Sequence, residues 1–165
     1  LGALAELGVQ GNVRGNNAVV IGGGGTSRPA LWALGQLGAE TVTVINRTDK
    51  SDQLRHLAGD AEFRYSDYSG DLTAMTEEAA VVISTVPSAV IASREEEIAQ
   101  CPVLDVIYDP RPTPLVTAAR KGGYPAVEGN VMLAHQSFSQ YEQYTGTDAP
   151  SAAMRAALDA YLAGE

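Results

Sequence analysis

A chain of 165 residues, 45% of them hydrophobic, has the length of one domain with room for an appendage, and enough apolar material for one sizeable core. Its formal net charge of -9 argues against nucleic acid or an anionic membrane surface as the main partner, because either would need clustered positive charge. The single Cys101 rules out an internal disulfide, and His56 and His135 stand too far apart to mark a metal-ligand cluster, so a reducing cytoplasm is the default setting.

Leu1, Leu4 and Leu7 share one helical face, and this start lacks the basic residues and long apolar run of a signal peptide. No stretch of about 18 apolar residues follows anywhere in the chain. Neither an initiator Met nor a capping residue precedes that face, so the expectation is that the chain begins inside a longer protein. GNVRGNN then reads as a polar turn leading into a strand over Ala18–Ile21.

Four glycines, Gly22 to Gly25, follow that strand. Gly22 and Gly24 occupy the G-x-G positions of a dinucleotide turn, while Ser27 replaces its third, helix-packing glycine. Without Cβ atoms the backbone here can take positive φ and come within hydrogen-bonding distance of a pyrophosphate. Ala30, Ala33, Leu34 and Leu37 then repeat at helical spacing, with Thr26 or Ser27 as N-cap, Pro29 in the first turn and Gly38 as the stop. Arg28 in that first turn opposes the helix dipole unless an anion is near. Taken alone, the turn reads equally well as a flexible glycine loop.

Thr41–Asn46 is β-branched with little alternation, as in a parallel strand covered on both faces. In a doubly wound sheet the residues at its end, roughly 20 positions past the glycines, meet the adenosine ribose, where an NAD site offers Asp or Glu. This chain has Asn46-Arg47-Thr48 instead, which suits a 2′-phosphate: Arg47 can pair with it and stack on adenine, Asn46 and Thr48 can hydrogen-bond it, and Lys50 can add charge, with Asp49 counting against. The cofactor read from this pattern is NADP(H).

The remaining pattern predicts a helix over Asp49–Ala58, a strand over Glu62–Tyr65, a helix over Asp71–Ala79 and a strand over Val81–Thr85. A helical crossover over Ile91–Gln100, a strand over Val103–Ile107, a helix over Pro114–Lys121 and a short strand over Ala126–Glu128 follow. Such alternation gives an α/β, Rossmann-like doubly wound parallel sheet of about six strands. Two helices, Asn130–Tyr144 and Ser151–Leu162, close the chain; Met154, Ala157, Leu158 and Tyr161 form an apolar stripe on the second, behind a Ser151 cap. Trp32 reads as a packed helix residue, His56 and His135 as ordinary helix residues, Cys101 as a small core residue and Glu95 to Glu97 as a solvated face.

Gly-x-Gly-Gly-x-x-Arg at 22–28 with Asn46-Arg47-Thr48 resembles the C-terminal, cofactor-binding domain of the shikimate dehydrogenase family. Asp105-Val106-Ile107-Tyr108-Asp109-Pro110 with Thr113-Pro114-Leu115 resembles that family's D-x-x-Y-x-P-x-x-T-P-L loop, and Gly129-x-x-Met132-Leu133-x-x-Gln136 its G-x-x-M-L-x-x-Q helix start. The resemblance implies NADPH-dependent, reversible reduction of 3-dehydroshikimate to shikimate in aromatic amino-acid biosynthesis. It places Gly22, Gly23, Gly24, Gly25, Thr26 and Ser27 on the pyrophosphate, and Asn46, Arg47, Thr48 and Lys50 on the 2′-phosphate and adenine. Thr85, Val86, Val106, Gly129 and Met132 would flank the nicotinamide half, and Tyr108 and Gln136 would reach the substrate. Residues 1–15 would link to a substrate domain, 16–129 bind NADP(H), and the helices of 130–165 pack toward that other domain, which shares the small-molecule substrate.

Three departures stand out. Ser51 occupies the place of the family's basic residue three positions after Asn-Arg-Thr, Ser84-Thr85-Val86-Pro87 stands where N-A-T-P is usual, and Pro29 replaces a small residue. The family's acid–base pair is a lysine and an aspartate of the substrate domain, the latter in N-T-D-x-x-G; Leu1-Gly2 resembles the end of that motif, so the expectation is that this chain carries neither. A non-catalytic NADP-binding or sensing module, and a quinate or aminoshikimate dehydrogenase, remain alternatives.

Overall fold

A computed structural model of the chain describes residues 1–164; Glu165, the end of the expected C-terminal helical segment, lies outside the described residues. Six strands, β1 (Asn17–Ile21), β2 (Thr41–Ile45), β3 (Glu62–Ser66), β4 (Ala79–Ser84), β5 (Val103–Asp105) and β6 (Ala126–Val127), form one parallel sheet in the order β3-β2-β1-β4-β5-β6. The sheet and its alternation with helices match the expected fold class. Because consecutive strands run outward from β1 in one direction and then from β4 in the other, the crossovers part between β1 and β4 and leave a crevice at their carboxyl ends.

Strand periodicity divides the core. In β1, Ala18 and Val20 face one layer while Val19 and Ile21 face the other, and all four are buried. The first layer packs under α1 (Gly2–Glu6), α2 (Gln10–Val13) and α3 (Ser27–Leu37), with Leu4, Val13, Leu31 and Leu34 at its centre. The second packs under α5 (Leu72–Glu77), α6 (Glu95–Ile98) and α7 (Pro114–Lys121), with Leu72, Ile98 and Leu115. Helix α4 (Ser51–Leu54) follows β2 and runs into a 3-10 turn, while α8 (Gly129–Thr145) and α9 (Ser151–Ala163) close the chain.

Several local expectations are corrected. The polar turn after α1 contains α2, because Val13 is fully buried and draws the backbone into a helical turn. The predicted Asp49–Ala58 helix is a single α turn followed by the 3-10 turn Arg55–Ala58, and the crossover after β4 is helical only over Ser88–Val90 and Glu95–Ile98. In α3 Ala33 and Leu34 are buried as expected and Leu31 joins them, while Ala30 and Leu37 are only half-buried, and Trp32 points outward with half its surface exposed rather than packing in the core. Thr26 occupies the N-cap position without a capping bond, and Ser27 donates back to the Gly24 carbonyl at 2.6 Å. In α9 the half-buried side is Met154 and Leu158 with Leu162; Ala157 and Tyr161 are exposed, and Ser151 is the first helical residue rather than the cap.

Cys101 is buried as expected, and burial pushes its thiol up to about 12, so it stays protonated and inert at neutral pH. No helix among the described residues is long and apolar enough to cross a membrane.

Candidate functional site: a cofactor cleft at the switch point

The glycine turn lies at the crevice between β1 and β4. Gly22 has φ +106°, which disfavours any residue with a Cβ, and a Cβ there would collide with Thr85 Oγ1 and approach Val86 Cγ1 to 2.8 Å. Thr85 closes the same spot by donating from Oγ1 to the Ile21 carbonyl at 2.8 Å. Gly24, Gly25 and Thr26 are exposed at the mouth. No side chain caps α3; the Arg28 N–H donates to the Gly25 carbonyl at 3.2 Å and Pro29 has none, so the Ser27 N–H is the one in the first turn left for an anion laid across the turn, where the helix dipole adds to the attraction. The third-glycine position of the fingerprint is filled compactly by Ser27, fully buried, whose hydroxyl is satisfied within the turn.

Asn46, Arg47 and Thr48 stand at the end of the neighbouring strand β2. Asn46 is fixed from three directions: its N–H donates to the Ser66 carbonyl at 3.1 Å, its carbonyl accepts from the Tyr65 hydroxyl at 3.2 Å, and its side-chain amide donates to the Thr48 carbonyl at 2.8 Å. Arg47 and Thr48 are exposed beyond it. Lys50 reaches back across the turn and donates from Nζ to the Gly23 carbonyl at 3.0 Å. A Cβ on Gly23 would meet Asn46 Nδ2 at 3.0 Å and Lys50 Cδ at 3.2 Å. The glycine turn and the Asn-Arg-Thr loop are therefore one connected surface.

On the other side of the crevice lies a cavity of about 700 Å³, whose lining includes Gly25, Thr26, Val106, Met132, Gln136 and His135. Gly129, the first residue of α8, is buried against the end of β5: a Cβ on it would overlap the Val106 carbonyl oxygen, and its N–H donates to the Ile107 carbonyl at 3.3 Å. That contact aims the first turns of α8 into the cleft. Met132, His135, Gln136 and Ser139 all line the cavity and follow i, i+3, i+4, i+7. Sequence reasoning picked the first and third of these and missed His135 and Ser139, although the same helical spacing would have included them.

His135 does more than occupy a helix face. Its Nε2 lies 2.6 Å from Glu6 Oε1, and Arg155 of α9 pairs with the same oxygen. Its ring fills the space beside Gly2, where any Cβ would overlap it. Trp32 and Leu1, both half exposed, also border this cavity.

Tyr108 does not join Gln136 in this cavity. It is exposed on the loop after β5 and faces a second depression shared with Asp109, Arg111 and Glu128. The base of that loop is a buried carboxylate that sequence reasoning left without a role. Asp105 accepts from Thr113 Oγ1 at 2.7 Å and from the Ile107 N–H at 3.2 Å. Ser84, its register partner in β4, stops short of a hydrogen bond but its dipole also favours the charged form. Burial is the larger effect and raises the Asp105 pKa above the ordinary carboxylate value.

The sign of that shift gives a testable expectation. A folded-state pKa above the unfolded one contributes stability that is fully present below the unfolded value and is lost as pH rises through the folded value. Asp105→Asn keeps shape and one acceptor without the charge. Urea unfolding of both proteins at a series of pH values from about 4 upward should show the variant gaining stability relative to the parent as pH rises through the folded-state pKa of Asp105. A constant difference across the series would show that the carboxylate is not perturbed.

Comparison with known proteins decides the family. A model described as "Shikimate / quinate 5-dehydrogenase" matches residues 3–108, and one described as "Shikimate 5'-dehydrogenase C-terminal domain" matches residues 131–158. The chain belongs to the shikimate / quinate 5-dehydrogenase family. Among curated relatives, the "Shikimate dehydrogenase (NADP(+))" of Halobacterium salinarum is 37% identical over 92% of this chain and 58% of its own length. The "Pentafunctional AROM polypeptide" of Lachancea thermotolerans is 31% identical over 92% of this chain but only 11% of its own. Among solved structures, the shikimate dehydrogenase of Mycobacterium tuberculosis superposes with a TM-score of 0.82 at 38% identity, over 91% of this chain and 60% of that one. The chain thus spans about three fifths of these single-enzyme relatives and a small part of the fused polypeptide. The glycine turn and the strand that precedes it lie within the first family match, and Met132, His135, Gln136 and Arg155 within the second.

Proposed function

We propose that this chain is the NADP(H)-binding part of a shikimate dehydrogenase, an oxidoreductase that reversibly reduces 3-dehydroshikimate to shikimate in aromatic amino-acid biosynthesis. The observation that carries the reading is the continuity of the glycine turn with Asn46-Arg47-Thr48: a cradle for a pyrophosphate joined to a loop bearing a guanidinium and no carboxylate at the ribose position. Relatives named as NADP(+) enzymes support the same choice.

In this reading Gly22, Gly23, Gly24, Gly25, Thr26 and Ser27 hold the pyrophosphate, and Asn46, Arg47, Thr48 and Lys50 the 2′-phosphate and adenine. Thr85, Val86, Val106, Gly129 and Met132 wall the nicotinamide half. NADP(H), when bound, supplies the hydride. The protein's part is to exclude water and hold the reacting ring: Met132, half-buried, offers a polarisable thioether to a flat ring, and Gln136 one turn on offers an amide to substrate hydroxyls. Tyr108, which faces the separate depression beside Glu128, would meet the substrate from that side of the β5 loop rather than from the cavity that holds Gln136. Hydride transfer to a carbonyl also needs a proton donor beside its oxygen. The titratable side chain lining the cavity is His135, already engaged by Glu6, and the family resemblance assigns the acid–base pair to a substrate domain. Residues 1–15 then form the link to that domain, 16–129 the cofactor domain and 130–165 the helices packed toward it, in a cytoplasmic enzyme.

The test is to incubate the intact polypeptide with NADP and shikimate and follow NADPH absorbance. NADPH formation is expected, while the 165-residue chain alone should bind NADP without turnover. Oxidation of quinate but not shikimate would overturn the substrate assignment, and activity of the isolated chain would overturn the placement of the acid–base pair.

A further inference from the structure

We propose that Asp105 and Thr113 form a positioning clasp that fixes the loop 106–112 at the rim of the cleft, and with it the placement of Tyr108 toward substrate. The inference rests on the role given to Tyr108 under the proposed function.

The clasp is buried at both halves: Asp105 is 1% and Thr113 0% exposed. It ties two positions eight apart in sequence through a 2.7 Å bond from Thr113 Oγ1 to Asp105 Oδ2. Between them the loop is exposed from Tyr108 to Pro112, so little packing of its own defines its path. What does define it is the peptide frame of Ile107. Its N–H donates to Asp105 Oδ1 at 3.2 Å, and its carbonyl accepts from the Gly129 N–H at 3.3 Å. One residue is thus held by the clasp on one side and by the start of α8 on the other, immediately before Tyr108 and one residue after the cleft-lining Val106. The same α8 carries Met132 and Gln136. Through Ile107, the carboxylate sets the spacing between the Tyr108 loop and the helix that faces the cleft.

Stability alone does not explain the carboxylate. Val103 and Leu104 complete β5 with apolar side chains, and a further apolar residue at its end would avoid the cost of burying a charge. Thr113 also caps α7, accepting from the Val116 N–H at 3.3 Å, so a purely structural role would be confined to that helix.

Thr113→Val keeps the shape and removes the hydroxyl; Thr113→Ser keeps the hydroxyl. In the intact enzyme, Thr113→Val is expected to raise the KM for shikimate at least about tenfold with the KM for NADP within about twofold, and Thr113→Ser to restore the parent values. In the ligand-free 165-residue chain, hydrogen exchange at Ile107 should quicken by about tenfold in the Val variant and return in the Ser variant. Should Thr113→Val fail to fold, Asp105→Asn, which retains one acceptor, should give the same selective rise at smaller size. Equal rises in both KM values, no rise, or unchanged exchange at Ile107 would overturn the clasp. Failure of the parent enzyme to oxidise shikimate would instead overturn the functional reading, and the exchange measurement would still judge the clasp.

Discussion

Replacing Arg47 with alanine is expected to weaken NADP binding by roughly 10- to 100-fold, the worth of a hydrogen bond to a charged group, while NAD binding stays within about twofold. The asymmetry follows from placement. Asn46 is locked by Tyr65, Ser66 and its own bond to Thr48, so the loop presents Arg47 from a fixed backbone into solvent beside the turn. The chain around it carries a net charge of -9, so a 2′-phosphate depends on this local cation for a favourable field. Lys50 is differently situated. Its ammonium already serves the Gly23 carbonyl, so Lys50→Ala should cost less affinity for NADP than Arg47→Ala. Titration of both cofactors by calorimetry at one fixed ionic strength measures the difference, since screening would otherwise confuse it. An equal loss for NAD and NADP would place Arg47 on the adenine or the pyrophosphate rather than on the 2′-phosphate.

Gly129→Ala is expected to be the most damaging single-methyl change near the cleft. The added methyl would overlap the Val106 carbonyl oxygen, a backbone atom that cannot rotate away, so either β5 or α8 must shift. Overpacking of this kind costs about 1 to 3 kcal/mol, or about 2 to 12 °C in Tm for a chain of this size. Because α8 carries Met132 and Gln136, the shift should also reduce cofactor affinity measured at a temperature where the variant remains folded. Gly24→Ala is the control: nothing lies within 4 Å of its Cβ, and its Tm should hold. A Gly129→Ala protein with unchanged Tm and affinity would show that the helix start has slack.

The sheet was legible because buried parallel strands write themselves as β-branched runs, and AVVI and TVTVI do so without interruption. The short helical turns were not. α2, the 3-10 turn after α4 and the broken crossover around α6 are shaped by what each segment covers, and Val13 in a stretch of Gly and Asn gave no periodicity to read. Within the site, the glycines and Asn-Arg-Thr were readable because their chemistry is local: backbone approach and charge type. Trp32 was misread because helical spacing locates a face but not whether the neighbouring layer extends far enough to cover it. Asp105 went without a role because its meaning lies in a partner eight residues on and in the helix start beyond.

Glu6 adds something of a different kind. One carboxylate oxygen receives both His135 and Arg155, so the opening helix is riveted to each of the two closing helices through a single atom. Individually such half-exposed pairs contribute little, but here they share one residue, so losing Glu6 breaks both at once. Mechanically, α1 and the two closing helices form one part: a tilt imposed on α1 at Glu6 would pull on His135 of α8, whose neighbours Met132 and Gln136 line the cleft.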